Sequence, residues 1–312
     1  MQNYIEPFFG SGAVLLARPL PFDGVETVND LDGMIANFWR ALKADFENVA
    51  DYADQPINEN DLHAKHAWLV GQKDSMQARL EGDPEWFDAK IAGWWVWGMA
   101  CWIGSGFCSG EGPWQVIEQD GERQLVHLGN AGQGVNRQRV HLGDAGRGVN
   151  RQRDSHRDEL FNYFHVLAER LRHVRVCCGD WTRIMGDTPT LVFSPCAVFL
   201  DPPYSQDAER DNHLYRKDDL TIAKSVREWA VAHGDDPRYR IALCGYAGEH
   251  EMPDTWECVM GKTGGGFGYG GQSKNGYKNQ GRERVWFSPH CLKEHTLFDW
   301  AQVGQGLRWN NN

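Results

Sequence analysis

Residues 197–206 read AVFLDPPYSQ. A short apolar run, Ala197 to Leu200, meets Asp201, Pro202, Pro203 and Tyr204 with no spacer. Proline has no N–H to give to a sheet ladder, so a strand must stop there. An acid and an aromatic ring are then held at the strand's carboxyl end on a stiff backbone. Open α/β sheets bind ligands beyond such ends. The stretch therefore asks for a sheet of that kind, with companion residues at neighbouring strand ends.

The rest of the chain supplies both. NYIEPFFGSGAVLLARP (3–19) reads as strand, glycine turn and helix, and VETVND (25–30) as a second strand. Leu31, Met34, Ile35, Phe38 and Leu42 then recur at helical spacing. Residues 60–80 and 85–103 read as helices, the second aromatic and buried on most sides. A helix near 157–172 precedes strand-like VRVCCGD (174–180) and AVFLDPPY (197–204). A helix at 219–233 leads to YRIALCGY (239–246) and TWECVMGK (255–262). A glycine-rich loop (263–281) then leads to RERVWFSP (282–289). Strands alternating with helices predict an α/β fold with a mostly parallel, Rossmann-like sheet.

Composition changes between 104 and 157, where Gly, Gln, Asn and Arg dominate. HLGNAGQGVNRQRV (127–140) is followed at once by HLGDAGRGVNRQRD (141–154), a 14-residue tandem repeat. Two copies are too few for a solenoid, so a surface insertion is expected. Arg137 matches Arg151 and Arg139 matches Arg153, a spacing suited to tracking a phosphate backbone. Residues 59–157 are expected to form a recognition and insertion region between two parts of one α/β domain, 1–58 and 158–312.

The chain of 312 residues carries a net charge of -11, which disfavours a general coat for polyanions but leaves room for this local basic patch. No apolar run approaches the roughly 20 residues that span a bilayer, and no signal-peptide pattern opens the chain. A cytoplasmic protein with no membrane contact is expected. The eight cysteines include no CxxC pair. They read as reduced, mostly buried thiols, with no metal site and no disulfide framework.

Four strand ends carry candidate chemistry. Phe8, Gly10 and Gly12 form a glycine turn where backbone can approach a ligand, and the helix behind it favours an anion. Asp30 ends the second strand, where an acid accepts from ribose hydroxyls or caps the next helix. Asp180 and Trp181 end the third strand, as an adenine acceptor with a covering indole or as a turn acid and a core ring. Asp201 and the Pro202 carbonyl present two acceptors to one amino group, with Tyr204 as a face for a flat ring.

In order and spacing these motifs resemble the Dam-type N6-adenine DNA methyltransferases. EPFFGSGAVLL looks like that family's FxGxG motif, VND like its ribose acid, CGDW like its cofactor-adenine segment and FLDPPY like its catalytic motif. GYGGQSKNGYKNQGRERVWFSP is similar to its closing region, and AGWWVWGMACWIGSGFCSG to the helix and loop leading into DNA recognition. The likeness spans most of the chain, excepting the repeat and the tail after about 292. It implies a seven-stranded sheet, S-adenosylmethionine as cofactor, double-stranded DNA as substrate, and a phage or mobile-element context. The implied cofactor residues are Phe8, Gly10, Gly12, Asp30, Asp180, Trp181 and Asp201. The implied catalytic residues are Asp201, Pro202, Pro203 and Tyr204, and DNA contacts fall to Arg137, Arg139, Arg151 and Arg153. The family's glycine-lysine segment before the first strand has no counterpart here, so weaker cofactor binding is expected. No obligate protein partner is implied. Two other readings stand beside this one: a non-catalytic DNA-binding remnant, and an RNA or protein amide methyltransferase, whose motif more often begins with Asn.

Overall fold

The computed structural model describes residues 1–102, 107–108, 114–119, 122–127, 138–139, 143–144, 153–203, 222–260 and 283–291, with side chains left out for 114–144 and 153–156. The first half runs β1 (Asn3–Glu6), α1 (Ala13–Ala17), β2 (Val25–Asp30), α2 (Gly33–Ala53), α3 (Glu59–Gly82) and α4 (Ala89–Cys101). Two small pairs follow, β3 (Trp114–Gln119) with β4 (Glu122–His127) and β5 (Gln138–Arg139) with β6 (Gly143–Asp144). The second half runs α5 (Arg153–Leu171), β7 (Val174–Cys178), a 3-10 turn (Trp181–Ile184), α6 (Asp187–Leu191), β8 (Cys196–Leu200), α7 (Ile222–His233), β9 (Tyr239–Tyr246), β10 (Glu257–Met260) and β11 (Glu283–Phe287).

Seven strands form one sheet in the order β10-β11-β9-β8-β1-β2-β7. The pairs β9/β8, β8/β1, β1/β2 and β2/β7 are parallel, while β11 runs antiparallel to both β9 and β10. The sheet is thus mixed and mostly parallel, compatible with a Rossmann-like fold. Parallel pairing obliges helical crossovers that cover both faces. Successive residues of β1 divide accordingly: Tyr4 packs into a core with α2, α3, α4 and α5, and Ile5 into a core with α7, Trp256 and Trp286. The first core runs without a break from the sheet through Met34, Phe38 and Leu42 to Leu69 and Trp97.

Local chemistry sets the helix limits. Asp32 caps α2 by accepting from the Met34 N–H at 2.8 Å, and Asn58 caps α3 by accepting from Asn60 and Asp61. Inside α2, Asp45 leaves helical geometry (φ -154°, ψ 62°) and accepts from the Asn48 N–H at 3.3 Å, restarting the helix. None of the eight cysteines is in a disulfide, and five are buried, as expected for reduced thiols. Among the described residues, no helix is long and apolar enough to cross a membrane.

Chain order turns at β1. The chain moves outward to β2 and β7 on one side and later to β8 and β9 on the other. Loops leaving the carboxyl ends of β1 and β8 therefore part company, and a crevice opens between them.

Candidate functional site

A cavity of about 180 Å³ occupies that crevice. Its walls come from the loop after β1 (Pro7 to Ser11), the end of β2 (Asn29 to Asp32), the loop after β7 (Gly179 to Trp181) and the end of β8 (Phe199, Asp201, Pro203). Of the sequence-predicted cofactor residues, Phe8, Gly10, Asp30, Asp180, Trp181 and Asp201 all line it. Gly12 stands one step behind, as the N-cap of α1. Pro202 is buried beside Pro203. Tyr204, Arg137 and Arg151 lie outside the described residues, and the side chains of Arg139 and Arg153 do too.

The glycine turn is built by backbone need. Gly10 (φ 48°) and Gly12 (φ 70°) both adopt the left-handed region that other residues resist. A Cβ at Gly12 would sit 2.8 Å from the Phe9 ring and 3.3 Å from Trp39, whereas a Cβ at Gly10 would meet nothing within 4 Å. Gly12 is thus fixed by angle and by space, and Gly10 leaves room over the turn for a ligand. Gly12→Ala is expected to cost about 1–3 kcal/mol of stability, read as a lowered midpoint in urea melts. The anion expectation weakens: α1 has only five residues, so its dipole is small.

The β2 end ties the neighbouring loops together. Asp30 accepts from the Gly10 N–H at 2.9 Å and from the Asp32 N–H at 2.8 Å. Capping of α2 belongs to Asp32, so Asp30 is left to the turn and the cavity. Asn29, only 1% exposed, donates to the Pro7 carbonyl at 3.1 Å and to the Gly179 carbonyl at 2.9 Å. Its Oδ1 is buried with no hydrogen-bond partner among the described residues. Beyond β7, Asp180 accepts from the Thr182 N–H at 2.9 Å and caps the 3-10 turn, so the turn-acid role is real alongside its place in the cavity. The Trp181 indole is 7% exposed and belongs to the second core, yet it also faces Phe8 with ring centroids 6.1 Å apart. Together the two rings form an aromatic wall.

Two residues that the sequence reading passed over belong to this site. One is Asn29. The other is Glu6, the last residue of β1, 2% exposed and on the cavity wall. It accepts from the Tyr4 hydroxyl. Burial, reinforced by the nearby Asp201 charge, pushes the Glu6 carboxyl up to about 7, and burial does the same to Asp30. Both acids hold protons in the folded chain that they would release on unfolding near pH 4–7. Their contribution to stability is complete below the unfolded value and disappears as pH rises through about 7. The ligand-free protein is therefore expected to melt at a higher temperature at pH 5 than at pH 8 in scanning calorimetry, with the difference reduced in Glu6→Gln.

The ionisable residues on the described walls are Glu6, Asp30, Asp32, Asp180 and Asp201, and no Lys, Arg or His joins them. Such a cavity repels phosphate and attracts cations. A flat ring fits the Phe8–Trp181 wall, and strand-end acids meet hydroxyls and amino groups. Compared with protein-family models and with curated proteins, the chain matches none.

Proposed function

We propose that the protein is an S-adenosylmethionine-dependent DNA methyltransferase acting on the N6 amino group of adenine. The observation that carries this reading is the convergence of four strand-end motifs on one cavity whose ionisable side chains, among the described residues, are all acidic. Dinucleotides and nucleoside triphosphates bring several negative charges and would be disfavoured there. A sulfonium nucleoside brings none on phosphate and a positive charge on sulfur. The sheet is seven-stranded, mixed and mostly parallel, which is compatible with the fold that the Dam-type resemblance implies.

The donor set suits the cofactor. Asp30 offers a carboxylate to the ribose, the Phe8–Trp181 wall offers a face to adenine, and Asp180 offers an acceptor to its amino group. When bound, S-adenosylmethionine supplies an electrophilic methyl group. Asp201 and the Pro202 carbonyl accept the two hydrogens of the target amino group. Its lone pair, otherwise delocalised into the ring, is thereby aimed at the methyl. Acceptors fixed at a strand end act mainly on charge that develops in the transition state. The remaining contribution is alignment of the two reactants. A base inside a duplex cannot reach Asp201, so it must be flipped out. Tyr204 is the residue proposed to stack on it, and the repeat arginines are proposed to hold the phosphates.

The deciding experiment supplies methyl-labelled cofactor with unmethylated DNA, RNA and a protein mixture in parallel. The DNA is digested to nucleosides and the labelled one identified. Label in N6-methyldeoxyadenosine is expected. Label confined to RNA or protein would assign the chain to the other substrate class. Cofactor binding without transfer to any acceptor would favour a DNA-binding remnant.

A further inference from the structure

Glu6 opens the stretch that resembles the glycine motif but has been given no role, and the reaction as described leaves it unused. It sits on the cavity wall, almost fully buried, at the end of the strand beside β8. The charged and titratable groups around it are few. Tyr4 donates to it from its own strand, and the Arg18 guanidinium lies 4.0 Å from the centre of the Tyr4 ring. Arg18 is itself committed to Glu26 at 2.7 Å. From β8 comes Asp201, and from β9 the Cys244 thiol, which burial keeps neutral. The Leu15 backbone supplies one further hydrogen bond. Glu6 and Asp201 therefore share one cavity with no cationic side chain on its described walls.

Buried Glu6, with the Asp201 carboxylate nearby, is costly to charge, and one answer is to keep a proton. The other is to bind a cation. Asp201 marks the transfer end of the cavity in the proposed reaction, whereas Asp30, Asp180 and Trp181 mark the nucleoside end. Glu6, which feels the Asp201 charge, belongs to the transfer end, where the sulfur must lie. Methyl transfer converts that sulfur from a sulfonium cation into a neutral thioether. Resting on the methyltransferase reading, we infer that Glu6 is the residue by which the cavity tells the cationic cofactor from its neutral product, taking up a proton whenever the cation leaves.

The linkage has a definite sign. A sulfonium binds best to ionised Glu6, so its binding expels the proton, and affinity rises as pH climbs through the titration of the empty site. The thioether gains nothing from that ionisation. Both ligands carry the same ribose and adenine, so protons taken up or lost at Asp30 cancel in the ratio of their affinities, and the ligand amines, which the sulfonium makes unequal, are titrated on the free ligands and subtracted. Burial sets the empty-site Glu6 to about 7. One linked proton then makes the preference for S-adenosylmethionine over S-adenosylhomocysteine about tenfold larger at pH 8 than at pH 6.

Titration calorimetry on the full chain at pH 6, 7 and 8, each in two buffers of different ionisation heat, reads both the affinity ratio and the protons released. S-adenosylmethionine should release protons near pH 6.5 in excess of S-adenosylhomocysteine. Sinefungin, which carries an amine near the sulfonium position, should behave like the cofactor. Glu6→Gln should flatten the ratio across pH. A ratio independent of pH in the wild-type protein overturns the inference whether or not the variant folds. A folded Glu6→Gln protein that keeps the slope does so as well, and would assign the proton to Asp201. In both cases measurable cofactor binding and label transfer leave the methyltransferase reading intact. Absence of any S-adenosylmethionine binding overturns both.

Discussion

Asp201→Ala is expected to lower methyl transfer by about 10²–10³-fold or more while leaving the chain folded. The magnitude follows from losing one aligned electrostatic partner of the transition state. The acid stands at the end of β8, just past the ladder that pairs Cys196 to Val198 with Asn3 to Ile5, so no sheet hydrogen bond depends on its side chain. Its removal also relieves Glu6 of a neighbouring negative charge. The melting temperature should therefore hold or rise slightly at pH 8, above the Glu6 titration at about 7. Cofactor affinity should fall much less than turnover, because the proposed nucleoside contacts are untouched. Asp201→Asn separates shape from charge: it keeps one carbonyl acceptor and should fall between wild type and alanine. The measurement is single-turnover label transfer with saturating cofactor and DNA. A folded Asp201→Ala protein retaining more than half of wild-type turnover would remove Asp201 from the mechanism.

The strand ends were legible in the sequence because parallel strands announce themselves twice. They are apolar on both faces, and they stop at Pro, Gly or Asp where ladder pairing ends. AVFLDPPY carries both signals, VETVND the closing Asp and YRIALCGY the apolar run, and β8, β2 and β9 follow. The hairpin of β3 and β4 was missed. Its strands, Trp114–Gln119 and Glu122–His127, flank the dipeptide Asp120-Gly121, a strong hairpin signal. The polar, glycine-rich composition of 104–157 hid it. Asp30 illustrates a different limit. Sequence alone left it between capping α2 and facing a ligand, and the choice turned on Asp32 two residues later, whose carboxylate takes the cap.

Glu6 was missed for a reason that is instructive. The argument that singled out Asp201, an acid ending a buried strand immediately before proline, applies word for word to Glu6 and Pro7. What the sequence does not contain is the adjacency of β1 and β8, separated by almost two hundred residues and joined only in the sheet. A lone strand-end acid is unremarked, but two on neighbouring strands make an electrostatic problem. Asn29 escaped for a related reason. Its value lies in bridging the carbonyls of Pro7 and Gly179, which belong to loops on opposite sides of β2.

Asp30→Ala is expected to weaken S-adenosylmethionine binding by at least about 100-fold. Two losses combine. A hydrogen bond from a ribose hydroxyl to a charged acceptor contributes about 1.5–3 kcal/mol, and each 1.4 kcal/mol is tenfold in affinity. The Gly10 N–H also loses its acceptor, so the turn that carries Phe8 is no longer pinned to the end of β2. Asp30→Asn should be nearly as damaging. One amide oxygen can serve Gly10 or Asp32, but the amide nitrogen then points a donor at the other N–H. The two losses can be told apart. Loosening the turn alone lowers the melting temperature of the ligand-free protein and leaves the upward shift produced by saturating cofactor unchanged. Loss of a direct contact shrinks that ligand-induced shift. Thermal melts with and without cofactor, paired with calorimetric affinities, distinguish them. A folded Asp30→Ala protein that binds cofactor within threefold of wild type would leave Asp30 as a brace for the glycine turn, and the ribose would have to be sought against Asp32 instead.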